Sequence, residues 1–452
     1  MVIGNCELRI ANCFPTPLIH REEKIVTFLQ QIIRVIEKKL SNQFARNLGW
    51  LGMAEISYRL LRLGLVVIIA RFLTPRDYGL GAIILMTREF AITFSNIGIG
   101  AKIIQAEEEE LEVLCNSAYW LNWLVFTSMF VLQCLIAFPI SWVRHTPELL
   151  LPIGVSGLVY LVWPIAGIQK TLIQRENRFK IIAMTDTLQY SLSTILCAVL
   201  AFLGMGVWAF ALPPILAAPI EFVIYSRNHS WRPTQKYTTK YWNEIWNFGR
   251  NILGVGLLKT LRNNLDYLIL FMYVSDEELG MYFFGFNAGL GISLSIINAI
   301  NSAIFPHLCA ARREASDFKE RYFNSLRTIS FIIIPFVLLQ SSLATFYVPI
   351  VFGQKWIPAI PIVILVCLSA IPRPFADAAT QLLVAVGRPD LDLRWNVIFT
   401  SIFGVFLFVG VQWHIIGVAA SVLLAHLICL PLFSLWAIRY VFSKYTNPNP
   451  LT

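Results

Sequence analysis

The stretch 47–79, NLGWLGMAEISYRLLRLGLVVIIARFLTPRDYG, decides the fold of this chain. It has the pattern of a membrane-spanning helix, yet it carries Glu55, Arg59 and Arg62. The apolar run after Arg62 is too short to cross a hydrocarbon core of ~30 Å at ~1.5 Å per residue, so the span must begin near Leu48. Both arginines then lie near mid-membrane, where a charge costs at least ~2.5–3.5 kcal/mol on insertion scales. We therefore expect them to face a cavity or a partner.

The same pattern recurs at an offset of 200 residues. Residues 247–280 read NFGRNILGVGLLKTLRNNLDYLILFMYVSDEELG, so that Arg59 aligns with Lys259 and Arg62 with Arg262. Each basic pair has i, i+3 spacing and shares one helix face. The repeat continues through three further matches: 74–79 with 275–280, 172–180 with 382–391, and 204–212 with 415–423. Two six-helix units in the same orientation are predicted, related by an axis along the membrane normal.

The composition is that of a membrane protein. Of 452 residues, 57% are hydrophobic and 14% charged, where a soluble domain carries about 25% charge. Twelve apolar segments are long enough to span: 48–71, 79–104, 115–142, 149–172, 181–203, 206–226, 245–273, 280–305, 326–351, 357–386, 392–411 and 415–440. We expect an all-α polytopic membrane protein with two six-helix lobes and a central cationic cavity. The two longest connections, about 227–244 and 307–325, leave no room for a separate soluble domain.

The expected organisation is an extension, two lobes, a linker and a tail. These occupy residues 1–46 (extension), 47–226 (N-lobe, helices 1–6), 227–244 (cytoplasmic linker), 245–441 (C-lobe, helices 7–12) and 442–452 (cytoplasmic tail). Within the extension, residues 24–40 place apolar side chains on one helical face and basic ones on another, which is typical of a helix lying on a membrane surface. A leader without a role is the alternative. No cleavable signal peptide is evident.

The orientation follows from lysine and arginine in the connections. With the N-terminus inside, twenty-five fall on the cytoplasmic side and four on the other: Arg71, Arg76, Arg144 and Lys355. This asymmetry predicts a multi-pass inner-membrane protein with both termini cytoplasmic. The net charge of +9 therefore marks a membrane face, and nucleic acid is excluded as a partner because no compact basic domain exists. Tryptophans near span ends, among them Trp142 and Trp356, are expected to form interfacial belts.

Several short motifs carry a family resemblance. They are ARFLTPRDYGLGAI (70–83), FSNIGIGAKIIQ (94–105), NSAYWLNWLV (116–125), QRENRFK (174–180), LRNNLDYLIL (261–270) and GRPDL (387–391). Their order over about residues 40–440 resembles the Wzx-type oligosaccharide flippases of the multidrug/oligosaccharidyl-lipid/polysaccharide exporter superfamily. The resemblance implies that two lobes open alternately and move an undecaprenyl-diphosphate-linked oligosaccharide from the cytoplasmic to the periplasmic leaflet. It also implies polysaccharide polymerase or export machinery as a partner.

A diphosphate ligand gives the embedded cations a role. A cavity lined with fixed cations spares phosphate the cost of entering hydrocarbon, and arginine donates two hydrogen bonds to it. We expect Arg59, Arg62, Lys259 and Arg262 to bind the diphosphate. The alternative is that they form structural ion pairs, with Glu55 four residues before Arg59 and Asp266 four residues after Arg262.

Other polar residues within spans are secondary candidates. Asn263, Asn264, Arg88 and Arg373 are candidates either for contacts with sugar hydroxyls or for structural contacts. Glu55, Asp266, Asp377 and Glu221 are candidates for coupling transport to a proton or sodium gradient, because a carboxylate in a low-dielectric cavity can exchange protons. No cofactor and no metal site are expected, since the histidines and cysteines show no ligand spacing.

Transport is favoured over the other functional classes. A membrane enzyme acting on lipid-linked sugars needs a sizeable loop for its acid, base or metal ligands, and no nucleotide-binding fingerprint is present. No catalytic residue is therefore expected. The alternative transporter is an ion-coupled drug efflux pump of the same superfamily, although two basic pairs favour an anionic substrate. A scaffold for polysaccharide assembly is a third possibility without specific support.

Overall fold

The computed structural model describes residues 64–233, 237–311 and 315–445. Regular secondary structure in these three ranges is helical throughout. The surface helix expected over 24–40 and the charged part of the first span, with Glu55, Arg59 and Arg62, lie outside the described residues.

The described part of the N-lobe contains ten α-helical pieces and a 3-10 turn, Pro147–Leu149. Helix α1 is described over 64–72. It is followed by α2 (Pro75–Ser95), α3 (Ile99–Gln105), α4 (Glu108–Arg144), α5 (Leu150–Ser156), α6 (Val159–Arg175), α7 (Phe179–Phe202), α8 (Trp208–Ala211), α9 (Pro213–Ala217) and α10 (Pro219–Asn228). The predicted span 206–226 is thus three short helices, because Pro213 and Pro219 each start a new helix at a position where no backbone N–H is needed.

The C-lobe repeats this arrangement with longer helices. It contains α11 (Trp242–Tyr273), α12 (Asp276–Ala311), α13 (Ala315–Tyr347), α14 (Ile360–Leu368), α15 (Arg373–Ala385), α16 (Pro389–Gly410) and α17 (His414–Tyr445). A π-helical turn, Val348–Phe352, and a 3-10 turn, Gln354–Ala359, join α13 to α14. The connection expected over 307–325 is much shorter than predicted, because α12 and α13 extend into it.

The helical pieces follow the predicted spans. Seven stretches in the described residues are long and apolar enough to cross a membrane, and one of them, Pro389–Ser443, joins α16 to α17. Helices α7, α11 and α12, with 24, 32 and 36 residues, are also long enough. Helix occupies each of the twelve predicted positions within the described ranges. The chain is an all-α multi-pass membrane protein.

The repeat is visible in local motifs. Thr74 and Asp77 form a capping box at the start of α2. At the matching position of the C-lobe, Ser275 and Glu278 exchange the same bonds before α12. Each pair satisfies backbone donors that a helix start leaves free. Two helices that are far apart in sequence therefore begin in the same way.

A second repeated motif is the turn before α7 and before α16. Asn177 and Gly387 both adopt positive φ, 56° and 80°. The next residue in each turn, Arg178 or Arg388, binds the end of that lobe's last helix: Arg178 donates to the Asn228 carbonyl (3.0 Å) and Arg388 to the Tyr440 hydroxyl (2.6 Å). The hydrogen bond from Arg178 also lowers the pKa of Glu176 in the first of these turns.

The lobes meet along α2 and α12, which pack closely. We call the end of the bundle that the charge asymmetry predicts to face outside the outer end, and the opposite one the inner end. At the outer end Gly79 lies against Gly280, where an added Cβ would be 1.9 Å from the Asp276 carbonyl or 1.7 Å from that of Pro75. At the inner end a Cβ on Gly249 would be 1.7 Å from the Ile97 carbonyl. Only residues without a side chain permit these approaches.

The tryptophans divide into two groups. Trp142 is 76% exposed at the end of α4, as an interfacial belt requires. Trp356 is completely buried, so the belt prediction is wrong for it. Its ring stacks on Phe284 with 4.0 Å between centroids, and its indole N–H donates to the Ala70 carbonyl at 2.9 Å. It is a contact between the lobes.

Candidate functional site

A cavity of about 200 Å³ lies between the lobes, midway between the glycine contacts at the two ends. Residues of helices α2, α11 and α12 line it. It is lined by one carboxylate, three amides, three aromatic rings and three smaller apolar side chains: Glu89, Asn263, Asn264, Asn287, Tyr267, Phe283, Phe286, Ala82, Leu85 and Met86. The cavity thus combines hydrogen-bonding groups with aromatic faces at membrane depth.

Helical periodicity brings these side chains together. Asn263 and Tyr267 stand one turn apart on α11, and Phe283 and Asn287 one turn apart on α12. The Tyr267 ring packs edge-on to Phe283, with 5.8 Å between centroids. Glu89 is exposed on the facing side of α2. The carboxylate and the amides can bind hydroxyl groups, while the rings can pack against the apolar face of a sugar.

The lobes touch again on the inner side of the cavity. Thr93, one turn beyond Glu89 on α2, shares a hydrogen bond with Thr260 on α11 at 2.8 Å between the hydroxyl oxygens. Thr260 is 7% exposed. Along α2 this contact lies between the cavity residue Glu89 and the inner glycine contact at Ile97.

The two predicted cations of α11 lie in different surroundings. Lys259 is exposed and precedes Asn263 by four residues, which places it on the cavity side of α11, about 6 Å nearer the inner end. Arg262 points into the C-lobe, where its guanidinium donates to Asn396 of α16. The carboxylates of Asp377 and Asp392 are its charged neighbours. Diphosphate binding by these two residues, and by Arg59 and Arg62 outside the described residues, stays a prediction.

The two asparagines differ in their freedom to bind a ligand. Asn264 is 5% exposed and donates to the Thr260 carbonyl of its own helix at 2.9 Å. Asn263 is exposed to the cavity. Asn263 therefore presents its amide to the cavity, whereas the Asn264 amide is hydrogen-bonded within α11; sugar contacts by either residue stay a prediction.

Asp266 is buried, and Arg373 partly buried, in the C-lobe behind the cavity wall. Asp266 is 2% exposed and accepts hydrogen bonds from the Tyr282 hydroxyl (2.6 Å) and the Tyr267 backbone N–H (3.0 Å). Arg373, on α15, has Asp377 and Asp266 as charged neighbours. Since Tyr267 itself lines the cavity, Asp266 is one residue away from it.

Arg88 and Glu89 point to different sides of α2, as their adjacency predicts. Glu89 faces the cavity, whereas the Arg88 guanidinium lies near Tyr160 of α6 and Tyr190 of α7. Its Nη1 atom is buried without a hydrogen-bond partner among the described residues. Arg88 therefore belongs to the interior of the N-lobe.

Glu221 belongs to a polar cluster that the sequence did not reveal. Lys170 of α6 binds both Asp186 of α7 (3.2 Å) and Glu221 of α10 (3.3 Å), and the Tyr225 hydroxyl donates to Asp186 (3.3 Å). Lys170 is one of the twenty-five basic residues that the sequence analysis assigns to cytoplasmic connections, but it lies within α6. When the sequences of the two lobes are aligned on the turns at Asn177 and Gly387, Lys170 aligns with Thr380 and Asp186 with Asn396. Both of these C-lobe residues also make polar contacts. The repeat was the signal that could have found this cluster.

Comparison with known proteins places the chain in a family. The family model described as "Polysaccharide biosynthesis protein" matches residues 68–361, more than half of the chain. Teichuronic acid biosynthesis protein TuaB of Bacillus subtilis is 22% identical over 89% of this chain and 83% of its own length. Lipopolysaccharide biosynthesis protein WzxC of Escherichia coli is 25% identical over 84% of this chain and 77% of its own.

Solved transporters share the fold. An inward-facing multidrug resistance MATE family transporter of the MOP superfamily superimposes with a TM-score of 0.71 at 12% identity, over 86% of this chain and 96% of that one. The lipid II flippase MurJ, in an inward closed conformation, gives a TM-score of 0.68 at 15% identity, over 87% and 89%. The chain thus shares its two-lobed helical fold with these two proteins.

Proposed function

Because this chain belongs to the polysaccharide biosynthesis protein family, we propose that it is an alternating-access flippase. Its substrate is a polyprenyl-diphosphate-linked oligosaccharide repeat unit, which it moves from the cytoplasmic to the outer leaflet for surface polysaccharide synthesis. The observation that carries this proposal is the inter-lobe cavity, which presents a carboxylate, amides and rings at membrane depth. A glycan needs such groups to replace its water as it crosses the bilayer.

The distribution of charge suggests how the substrate lies. The Glu89 carboxylate repels phosphate, so the glycan occupies the cavity against Glu89, Asn263 and Asn287. The diphosphate lies nearer the inner end, beside Lys259 and the predicted diphosphate ligands Arg59 and Arg62. Arg262 supports this site indirectly, because its guanidinium donates a hydrogen bond to Asn396 and so stabilises the C-lobe.

The setting of this activity follows the charge asymmetry. The protein lies in the inner membrane with both termini in the cytoplasm, and the polysaccharide polymerase or export machinery takes over the translocated unit. A proton or sodium gradient drives the cycle. Among the carboxylates Glu55, Asp266, Asp377 and Glu221, Asp266 is favoured as the coupling group because it adjoins the cavity residue Tyr267.

A second candidate function is efflux of small cationic molecules. Glu89 carries the carboxylate in the described lining, and a carboxylate there suits a cation. Drug susceptibility separates the two functions: a strain lacking the efflux pump becomes more sensitive to cationic compounds, whereas a strain lacking the flippase loses surface polysaccharide.

The proposal is tested by deleting the gene and locating the lipid-linked repeat units. We expect them to accumulate in the inner leaflet, protected from a glycosidase added to spheroplasts, and to become accessible when the gene is restored on a plasmid. An unchanged lipid-linked pool together with unchanged surface polysaccharide would reject the proposal. The control is a membrane lysate, in which the glycosidase reaches both leaflets and should cleave the lipid-linked units.

A further inference from the structure

The four basic residues at the outer end are exceptions to the charge asymmetry of this chain. Arg76 binds Glu148 within the N-lobe. The other three, Arg71, Arg144 and Lys355, each bind the opposite lobe. Positive charge on this side of a membrane protein is disfavoured, so its concentration at one interface calls for a physical reason.

Arg71 and Lys355 form a reciprocal contact between helix ends. At the end of α1, Arg71 donates to the carbonyls of Ile350 (2.7 Å) and Val351 (2.9 Å), in the π-helical turn after α13. Lys355 donates in return to the carbonyls of Arg71 (2.8 Å) and Leu73 (2.6 Å), where α1 ends. A helix leaves its last carbonyls unpaired and carries partial negative charge there. Each cation thus caps a helix of the other lobe.

Arg144 makes the same kind of contact on the other side of the interface. It is the last residue of α4, and its Nη1 donates to the carbonyls of Phe271 and Val274, both at 2.7 Å, where α11 ends. Its Nε donates to Asp276 at 3.0 Å, in the first turn of α12. The two charged side chains are only 8% and 14% exposed. Shielding from water makes this pair stronger than a surface ion pair.

Buried apolar packing lies between these polar contacts. Trp356, next to Lys355, is fully buried and stacks on Phe284, and its ring is 4.8 Å from that of Tyr78 in the N-lobe. The adjoining contact of Gly79 with Gly280 brings the backbones of α2 and α12 together. The outer end is therefore closed by both packing and charge.

We propose that Arg71, Arg144 and Lys355 form a clamp that holds the two lobes together at the outer end and must be released before the cavity opens outward. The clamp suits a reversible step because its partners are carbonyls and one carboxylate, all of which can bind water once the lobes separate. It makes the outward-closed state the resting state, so that the cavity loads from the cytoplasmic side. This inference concerns the conformational equilibrium and does not depend on which molecule the cavity carries.

The clamp is tested by access to the cavity from outside. A reporter cysteine, F283C, is placed in the cavity wall of the full chain from which the native cysteines have been removed, and a membrane-impermeant maleimide is added to intact spheroplasts. R144Q and K355Q are each expected to raise the labelling rate several-fold, and the double variant more.

R76Q is the matched control, since Arg76 lies at the same end but pairs within one lobe, and the labelling rate should not change in this variant. The proposal would be overturned if F283C were labelled at the same rate in R144Q, in K355Q and in the protein with all three clamp residues, provided that size-exclusion chromatography shows all three proteins to be folded. An equal rise of the labelling rate in R76Q would also overturn it.

A locked variant covers the case in which R144Q or K355Q does not fold. The Thr146 hydroxyl lies 3.4 Å from the Asp276 carboxylate, so T146C/D276C can be joined by a disulfide or a short thiol cross-linker. Cross-linking should abolish labelling of F283C from outside, and in the chain that keeps Phe283 it should stop surface polysaccharide synthesis; reductant should restore each. Unaltered labelling in the cross-linked protein would contradict the clamp.

Discussion

Gly79 and Gly280 touch across the two lobes, each at the same position of its repeat. A Cβ on Gly79 would stand 1.9 Å from the Asp276 carbonyl oxygen, and one on Gly280 would stand 1.7 Å from that of Pro75. Both obstructing atoms belong to backbone, which cannot rotate away as a side chain can. The repeat axis therefore passes close to this contact, and the outer end closes only while both positions lack side chains.

The first prediction concerns this contact. G79A and G280A should separate α2 from α12 at the outer end, raise maleimide labelling of F283C from outside and reduce surface polysaccharide. The control is G254A, in α11, because its Cβ meets nothing within 4 Å. That substitution should be neutral, or stabilise by about 0.5–1 kcal/mol through helix propensity. Normal labelling and normal polysaccharide in G79A would show that the helices adjust without opening.

A second prediction concerns glycan contacts in the cavity. E89A and N287A should each lower transport about 5- to 30-fold, the factor that corresponds to the loss of one or two kcal/mol of binding. Thermal unfolding should be unchanged, since both side chains are exposed to the cavity. Uptake of fluorescent lipid-linked oligosaccharide by proteoliposomes measures the effect. S401A removes a polar group from the exposed side of α16 and should keep full activity; equal activity in all three variants would remove the cavity from the transport path.

The third prediction separates the cations of α11. K259Q should reduce transport and leave the unfolding temperature unchanged, because Lys259 is exposed on the cavity side. R262Q should lower the unfolding temperature, since Asn396 loses its charged hydrogen-bond donor and Asp377 and Asp392 lose a neighbouring positive charge. A hydrogen bond from a charged donor contributes about 1.5–3 kcal/mol to stability. R262Q/D392N should recover part of this loss. A stable R262Q protein that cannot transport would instead assign Arg262 to the substrate.

The fourth prediction concerns the N-lobe cluster around Lys170. K170M leaves Asp186 and Glu221 facing each other without their shared cation, and it should lower the unfolding temperature in detergent. The side chains of Lys170 and Asp186 are 38% and 31% exposed, so solvent screening limits the cost to about 1–2 kcal/mol. K170M/D186N/E221Q removes the charges together and should recover most of the stability. An unaltered unfolding temperature in K170M would mean that the cluster does not stabilise the fold.

Much of the fold was predictable because its signals are local. The span order follows from apolar runs, and the repeat follows from matched short motifs. The capping boxes Thr74–Asp77 and Ser275–Glu278, and the turns at Asn177 and Gly387, involve residues close together in the chain. Their effects on the backbone are the same in any surroundings, so sequence comparison alone relates the two lobes. The expected connection over 307–325 was too long because polar helix ends resemble loops in composition.

Which partner a charged side chain meets was decided by tertiary packing. Lys259 and Arg262 are three residues apart and differ by only ~60° around α11, yet the first is exposed and the second donates to Asn396 of the C-lobe. The same holds for Arg144 and Lys355, whose partners belong to the opposite lobe. By itself the sequence determined which residues of the apolar segments carry charge and that a basic pair recurs at an offset of 200 residues. The direction of each charge, and the clamp at the outer end, depend on how neighbouring helices pack, because a small rotation or shift of a helix changes which partner lies within hydrogen-bonding distance.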